Sequence, residues 1–192
     1  MHVRTVASPD GAAVQRPARR AHASPQPTRA SAVAAAGRSI TAFDGAVLLQ
    51  PRRLEAVVAR IASAESREQL VNAFSAASAQ TRAELGAGTV PAPVIVLRSV
   101  PIGYRVESFS TQAATVAVWY VGIVGSGATV EPQQSWRTQV VSLVFEGGSW
   151  KVSSFQSSAG PTPPLSTADA PAAPGELFAA IPRFQEFTSA QL

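Results

Sequence analysis

The residues that most often carry chemistry in proteins are sparse in this 192-residue sequence. It has no cysteine, which excludes disulfides, thiol nucleophiles and zinc–thiolate sites. Both histidines, His2 and His22, lie within the first 30 residues. Beyond them no side chain titrates near neutral pH unless its pKa is shifted, so a serine–histidine nucleophile and a histidine metal site are excluded there. We therefore expect no catalytic residue, no metal and no cofactor.

Paired carboxylates are the remaining route to acid–base catalysis. Three glutamates lie in the region that we predict below to form a sheet, Glu107, Glu131 and Glu146. Glu131 follows a loop and Glu146 adjoins a Gly-Gly turn, where a solvated charge is the usual state. Glu107 shares an extended segment with Tyr104 and Arg105, and it is the one candidate for acid–base work. A surface glutamate is the commoner role, so the sequence favours a protein that is not an enzyme.

Five aromatic residues in the same region are candidates for a ligand cavity or a contact surface: Tyr104, Trp119, Tyr120, Trp136 and Trp150. Core packing is the more frequent role of such side chains. Trp150 is expected in the core. Trp136 follows a polar loop and is the aromatic residue that we expect to be exposed.

The net charge of +4 is concentrated at the start of the chain. Residues 1–30 carry five arginines and one aspartate, whereas residues 31–192 carry 11 basic and 11 acidic groups. A neutral body gives little reason to expect a nucleic-acid partner. The arginine-rich start is either a solvated linker, the commoner case, or a contact for phosphates.

Hydrophobic periodicity predicts three helices before the sheet. The first covers residues 32–46. The second begins at Pro51, which suits a first helical position. The third begins at a capping box formed by Ser66 and Gln69 and ends at Gly86.

Stretches in which apolar and polar residues alternate, and one continuous apolar stretch, predict the strands that follow the helices. Residues 113–124 are apolar on both faces, which is typical of a strand in the middle of a sheet. Residues 101–103 (Pro-Ile-Gly) predict a turn or a bulge in the strand before it. The Gly147–Gly148 dipeptide predicts a two-residue hairpin that pairs Phe145 with Trp150.

The composition divides the chain into four regions. We expect a disordered, basic Pro/Ala/Arg-rich tail at 1–30, an α+β domain at 31–158, a Pro/Ala linker at 159–175 and a short amphipathic segment at 176–192. The last region carries Phe178 and Phe184, and we expect it to dock on the domain or on another chain.

The order of these elements resembles a known fold. Three N-terminal helices before a curved, mostly antiparallel sheet of four to five strands look like the cone of the nuclear-transport-factor-2-like (NTF2-like) fold, of class α+β. Helices wrapped on such a sheet often leave a cavity. The resemblance therefore keeps open a small-ligand-binding or enzymatic domain, with Glu107 or Tyr104 as the working groups.

Four stretches in residues 35–165 resemble a narrower family: RSVPIGYRVESFS, ATVAVWYVGIVG, WRTQVVSLVFEGGSWKVSSF and GPTPP. They are similar to uncharacterised actinobacterial proteins of conjugative elements, which in turn resemble periplasmic scaffold subunits of type IV secretion and conjugation machines. The positions that carry the pattern are Trp119, Trp136, Thr138, Gly147, Gly148, Trp150, Lys151, Gly160, Pro161 and Pro163.

This second resemblance implies a scaffold or accessory protein whose partners are other subunits of a transfer machine or a second copy of itself. It implies no catalytic residues. Such proteins carry a membrane helix, a Pro/Ala/Ser stalk and then this domain. Residues 8–30 look like the stalk, but no apolar run precedes them. We expect the extracytoplasmic face of the membrane if a helix lies upstream, and the cytoplasm if the chain begins at Met1. A nucleic-acid accessory acting through the arginine-rich tail is a further alternative.

Overall fold

The computed structural model describes residues 26–127 and 129–163, together with Gly175 and Ala179. Four helices precede four strands in the chain. Their bounds are α1 Arg29–Thr41, α2 Ala46–Leu49, α3 Pro51–Ile61, α4 Arg67–Glu84, β1 Ile95–Phe109, β2 Ala113–Ser126, β3 Val130–Glu146 and β4 Ser149–Ala159. The predicted disorder before residue 26 and most of the predicted linker and C-terminal segment, including Phe178 and Phe184, lie outside the described residues.

Helix α1 begins at a capping box and lies close to the sheet. The Thr28 hydroxyl accepts a hydrogen bond from the Ser31 N–H, and the Ser31 hydroxyl oxygen accepts one from the Thr28 N–H. Ala32 and Ala36 are fully buried one turn apart. Their small side chains let the helix approach the strands. The Ser31 hydroxyl also accepts a hydrogen bond of 2.9 Å from Nε1 of Trp150, which ties the start of α1 to β4.

Helices α3 and α4 pack against each other and against the sheet. Pro51 stands at the start of α3, as predicted, and Leu54 is fully buried. The capping box predicted at Ser66 and Gln69 is wrong. Ser66 has a helical backbone (φ −95°, ψ −1°) and its side chain makes no capping hydrogen bond. An N-cap needs an extended backbone to aim its oxygen at the first free N–H groups. The Ser66 N–H instead donates to Oγ of Ser63.

The four strands form one antiparallel sheet in the order β1-β2-β3-β4. Strand β2 lies inside the sheet, as its two apolar faces predicted. The predicted hairpin is confirmed: Gly147 and Gly148 have φ of +56° and +74°, and Phe145 pairs with Trp150. The predicted irregularity at residues 101–103 is also confirmed, since the pairing of β1 with β2 shifts between Pro101 and Gly103.

Connections between helices cover part of each outer strand. At β1, the Gly45 N–H donates to the Leu97 carbonyl at 2.9 Å, and the Asp44 carboxyl lies beside Ser99, with its Oδ1 buried and without a hydrogen-bond partner among the described residues. At β4, the Ser63 N–H donates to the Val152 carbonyl at 2.8 Å. These contacts occupy backbone groups that would otherwise pair with foreign strands. Within the described chain, the part of β1 after its first bulge has no strand on its outer side.

The predicted fold class, an NTF2-like cone with three helices on a sheet of four to five mostly antiparallel strands, is wrong. The described residues form four helices, because α1 ends at Thr41, before the predicted end at residue 46, and the short helix α2 begins after Gly45, whose φ is +54°. The sheet has four strands, every neighbouring pair is antiparallel, and the strand order follows the chain. The helices come before the sheet in the chain, and this arrangement does not confirm a cone.

Candidate interaction surface

Helices cover one face of the sheet, and two tryptophans share the opposite face, which we call the open face. In the register of β2 and β3, Trp119 pairs with Thr138 and Val121 pairs with Trp136. The two tryptophans are therefore diagonal neighbours. Their ring centroids lie 4.9 Å apart, the planes are inclined by 33°, and both side chains are half-buried.

The chain after β4 returns across the open face. The Gly160 N–H donates to the Trp136 carbonyl at 2.8 Å, and the Thr138 hydroxyl donates to the Gly160 carbonyl at 2.8 Å. Nε1 of Trp119 donates to the Pro161 carbonyl at 2.9 Å. These three bonds hold residues 160–163, which we call the return segment, beside the tryptophan pair. The polar edge of Trp119 is thereby satisfied, and its apolar ring remains available for contact.

A shallow cavity of about 330 Å³, which we call the open-face cavity, lies next to the return segment. Most of its wall is apolar. An ion pair between Arg105 and Glu107, with nitrogen and oxygen 2.8 Å apart, stands at the rim on β1. The residues that line the cavity are Gly103, Tyr104, Arg105, Ala117, Trp119, Thr138 and Pro161.

Exposed apolar side chains gather on β1. Val100, Ile102, Tyr104 and Phe109 are 47 %, 48 %, 65 % and 37 % exposed. Together with Val94 and Val90 just before the strand, they are all the large hydrophobic side chains that are exposed in the described part of the chain. Ile102, Tyr104 and Phe109 lie on the part of β1 that has no strand on its outer side within the described chain, and we call this part, residues 102–109, the β1 edge.

A second cavity, of about 280 Å³, lies on the helix side of the sheet. Phe43 and Phe74 stack with centroids 4.3 Å apart, and Phe155 meets Phe74 edge-on at 5.5 Å. Tyr120 and Gln139 contribute to the wall from the sheet. This helix-side cavity is an aromatic pocket with a few polar groups, a composition common in small-molecule sites.

Asp44 has a raised pKa. Burial in the turn before α2 raises the pKa of Asp44 from 3.8 to about 6. The hydrogen bonds from Ser99 and the charge of Arg98 act in the opposite direction, and burial outweighs them. Asp44 therefore titrates close to neutral pH while it covers the backbone of β1.

The candidate residues named from the sequence do not form one site. Trp119 and Trp136 lie on the open face, and Tyr104 and Glu107 lie on β1 beside it. Tyr120 lines the helix-side cavity on the other face, because neighbouring residues of a strand point to opposite sides. Phe178 and Phe184 lie outside the described residues.

Two contacts across long sequence distances were not visible in the sequence. Oε1 of Glu146 accepts a hydrogen bond of 2.7 Å from the Ala64 N–H, so this glutamate anchors the α3–α4 connection rather than facing solvent alone. Sequence reasoning also missed Asp44. The Asp44-Gly45 dipeptide is a turn signal that could have marked it, but its partner Ser99 lies more than 50 residues away.

Comparison with solved structures places the fold beside a secretion-system protein. An IcmL-like type IV secretion system protein of Legionella pneumophila subsp. pneumophila superposes with a TM-score of 0.55 at 15 % identity, covering 73 % of this chain and 99 % of that chain. The intermembrane space region of the chloroplast protein ARC6 gives 0.42 at 10 % identity over 67 % and 92 % of the two chains, a likeness too low to support a conclusion.

Sequence comparison identifies the family. No curated protein sequence matches this chain. A family whose members are described as a domain of unknown function, DUF8175, matches residues 47–172, which include helices α3 and α4, all four strands and the return segment. The chain therefore belongs to the DUF8175 family.

Proposed function

We propose that this protein is a non-enzymatic scaffold or accessory subunit of a type IV secretion or conjugation apparatus, and that it acts by binding another protein subunit. The likeness to the IcmL-like protein supports the proposal, because it spans nearly all of that chain. We also propose that the chain comes from an actinobacterial conjugative element. Its α+β domain would cover residues 31–158, between the basic tail and the Pro/Ala linker, and would lie on the extracytoplasmic face of the membrane. Within the described residues, no helix is both long and apolar enough to cross a bilayer.

The β1 edge is the observation that carries this proposal. Ile102–Phe109 is a stretch of eight residues with no strand on its outer side within the described chain, long enough to pair with a typical strand of five to six residues. Its exposed apolar side chains lie where an added strand would cover them. We therefore propose that the occupant is an extended segment of a different subunit, held by backbone hydrogen bonds and by contacts to Ile102 and Tyr104.

The rest of β1 argues for one docking position. The contacts of Asp44 and Gly45 with Leu97 and Ser99 occupy the first half of the outer edge. Pro101 has no N–H to offer a partner. An incoming strand is therefore directed to the half of β1 that follows the bulge, where the apolar side chains are exposed.

Site-specific photo-crosslinking in the cells that make the protein tests the proposal. A photoreactive phenylalanine derivative replaces Ile102, and in the matched control it replaces Glu55, an exposed residue of α3. We expect crosslinks from position 102, and none from position 55, to a protein of the same transfer apparatus. Crosslinks that join only copies of this chain, or equal products from both positions, would contradict the proposal.

Small-ligand binding is a second candidate function, favoured by the helix-side cavity. Its stacked phenylalanines and Tyr120 suit an apolar molecule of modest size. Neither Glu107 nor Tyr104, the residues predicted from the sequence for this role, lines that cavity. Native mass spectrometry of the freshly purified protein tests the idea. A bound molecule that is lost in Phe74→Trp, a change that fills the cavity, would support it, and ligand-free protein would count against it.

A further inference from the structure

We propose that the C-terminal segment, residues 176–187, docks in cis on the open face of the sheet and occupies the open-face cavity. This inference concerns the open face, which meets the β1 edge at Tyr104, and it does not depend on the proposed function. The occupant is this chain itself, and the place where the chain leaves the sheet is the reason for choosing it.

The return segment delivers the chain to the cavity. Pro161 is part of the cavity wall, and its carbonyl accepts the hydrogen bond from Trp119. Gly160 is bonded to Trp136 through its N–H and to Thr138 through its carbonyl. The chain beyond residue 163 therefore starts next to the cavity, on the face that the helices leave uncovered.

The sequence of the segment suits an apolar cavity. In ELFAAIPRFQEF, five large apolar side chains occur within eleven residues: Leu177, Phe178, Ile181, Phe184 and Phe187. Such a concentration of apolar surface is unfavourable in water. The cavity offers the Trp119 ring, Ala117 and Pro161 as apolar walls. Contact between the two would remove apolar surface from water on both sides.

The length of the intervening chain permits the contact. Thirteen residues separate Pro163 from Leu177, and extended chain of that length spans up to roughly 45 Å. The outer strands of a four-stranded sheet lie only about 15 Å apart. A tether of this kind gives the segment an effective concentration of about 1 mM at the cavity. If the untethered segment bound the cavity with a dissociation constant of roughly 100 µM, the tethered segment would therefore occupy it about 90 % of the time.

Chemical crosslinking of the full chain tests the proposal, and the absence of native cysteine makes the experiment clean. Arg105→Cys places one thiol at the cavity rim and Ala179→Cys places the other in the segment. The matched control pairs Glu55→Cys with Ala179→Cys, because Glu55 is an exposed residue of α3. A short bifunctional maleimide is added to dilute protein, and products within one chain are quantified by mass spectrometry.

We expect the Arg105→Cys pair to crosslink within one chain at least about tenfold more than the control. Adding Phe178→Ser and Phe184→Ser should reduce that yield about tenfold or more, since each removes an apolar ring that the proposal places in the cavity. Equal yields from the two pairs would overturn the proposal. Crosslinks that join two chains would overturn it as well, and would identify a second copy as the occupant.

Tryptophan fluorescence gives an independent readout in the unlabelled chain. Phe178→Ser with Phe184→Ser should expose Trp119 and Trp136 and shift emission to longer wavelength, while circular dichroism stays unchanged. In the same variant carrying Trp119→Phe and Trp136→Phe, only Trp150 remains, and its emission should not move because it is buried. No shift in the first variant would contradict the proposal. Failure of either experiment leaves the β1 edge untouched, because both use purified protein without a partner.

Discussion

Replacing Asp44 by asparagine should remove a pH dependence from the stability of this domain. Asp44 lies beside Ser99 where the turn before α2 covers β1, and burial raises the pKa of Asp44 to about 6. Asparagine has nearly the same shape and carries no charge. The substitution therefore isolates the effect of ionising this one carboxyl.

The sign of the effect follows from the direction of the shift. Between its ordinary pKa of 3.8 and about 6, Asp44 binds a proton in the folded state and not in the unfolded state. The stabilisation is thus full below about pH 4 and is lost as the pH rises through about 6. Taken at face value, the shift of the Asp44 pKa from 3.8 to about 6 corresponds to roughly 3 kcal/mol. Asp44 is only partly buried, so solvent screening reduces the expected loss to about 1–2 kcal/mol.

Urea unfolding at a series of pH values between about 4 and 7.5 measures the effect. We expect the free energy of unfolding of the wild type to fall relative to that of Asp44→Asn across this range. Ser99→Ala should move the midpoint to higher pH, because the hydrogen bond from Ser99 lowers the pKa of Asp44. Glu55→Gln, which removes one exposed charge, is the matched control. Parallel curves for the wild type and Asp44→Asn would refute the reasoning.

Three further predictions concern contacts that join distant parts of the chain. Glu146→Ala should lower the free energy of unfolding by about 1 kcal/mol, because the Ala64 N–H loses its acceptor, and Glu146→Gln should retain most of that energy. Equal losses in urea would contradict this. Trp150→Phe should cost about 1–3 kcal/mol, as it removes the bond to Ser31 and leaves a small void. An unchanged thermal midpoint would be inconsistent with that contact. Gly148→Ala should lower the free energy of unfolding by about 1 kcal/mol, because a residue with a Cβ is strained at a φ of +74°. Apart from the two neighbouring residues, no other described atom lies within 4 Å of the added carbon, so the backbone angle is the cause. An unchanged free energy of unfolding in urea would contradict this prediction.

The parts of the fold that could be predicted are those encoded locally. The hairpin at Gly147 and Gly148 follows from two glycines between alternating strands, and the bulge at residues 101–103 follows from Pro-Ile-Gly. The internal position of β2 follows from its two apolar faces. Each signal lies within a few residues of the structure that it specifies, so no knowledge of tertiary contacts was needed.

The errors arose where distant contacts decide the structure. Ser66 has the right residue type for a helix cap, but the adjoining Ser63 is held by Val152 of β4 and sets a different backbone at this turn. The fold class was wrong because alternation reports which residues share a face and not how the sheet curves or how many helices cover it. The predicted first helix ends early, at Thr41, and in the turn that follows the Gly45 N–H donates to the carbonyl of Leu97, more than 50 residues away.

In the candidate site, too, the features encoded locally could be predicted and those that depend on distant contacts could not. Alternation separates Trp119 from Tyr120, so their placement on opposite faces could be predicted. The contact between Trp119 and Trp136 depends on the register of β2 with β3, which no turn signal between them fixed. The linker predicted from residue 159 gave no indication that the chain would return across the open face.

Hydrogen exchange along β1 measures the central claim most directly, namely that a strand of another subunit adds to its free edge. The outward amides of residues 102–109 should exchange fast in the isolated protein and become protected in the complex isolated through the Ile102 crosslink. Protection confined to other surfaces, with these amides equally fast in the free and bound states, would contradict the claim.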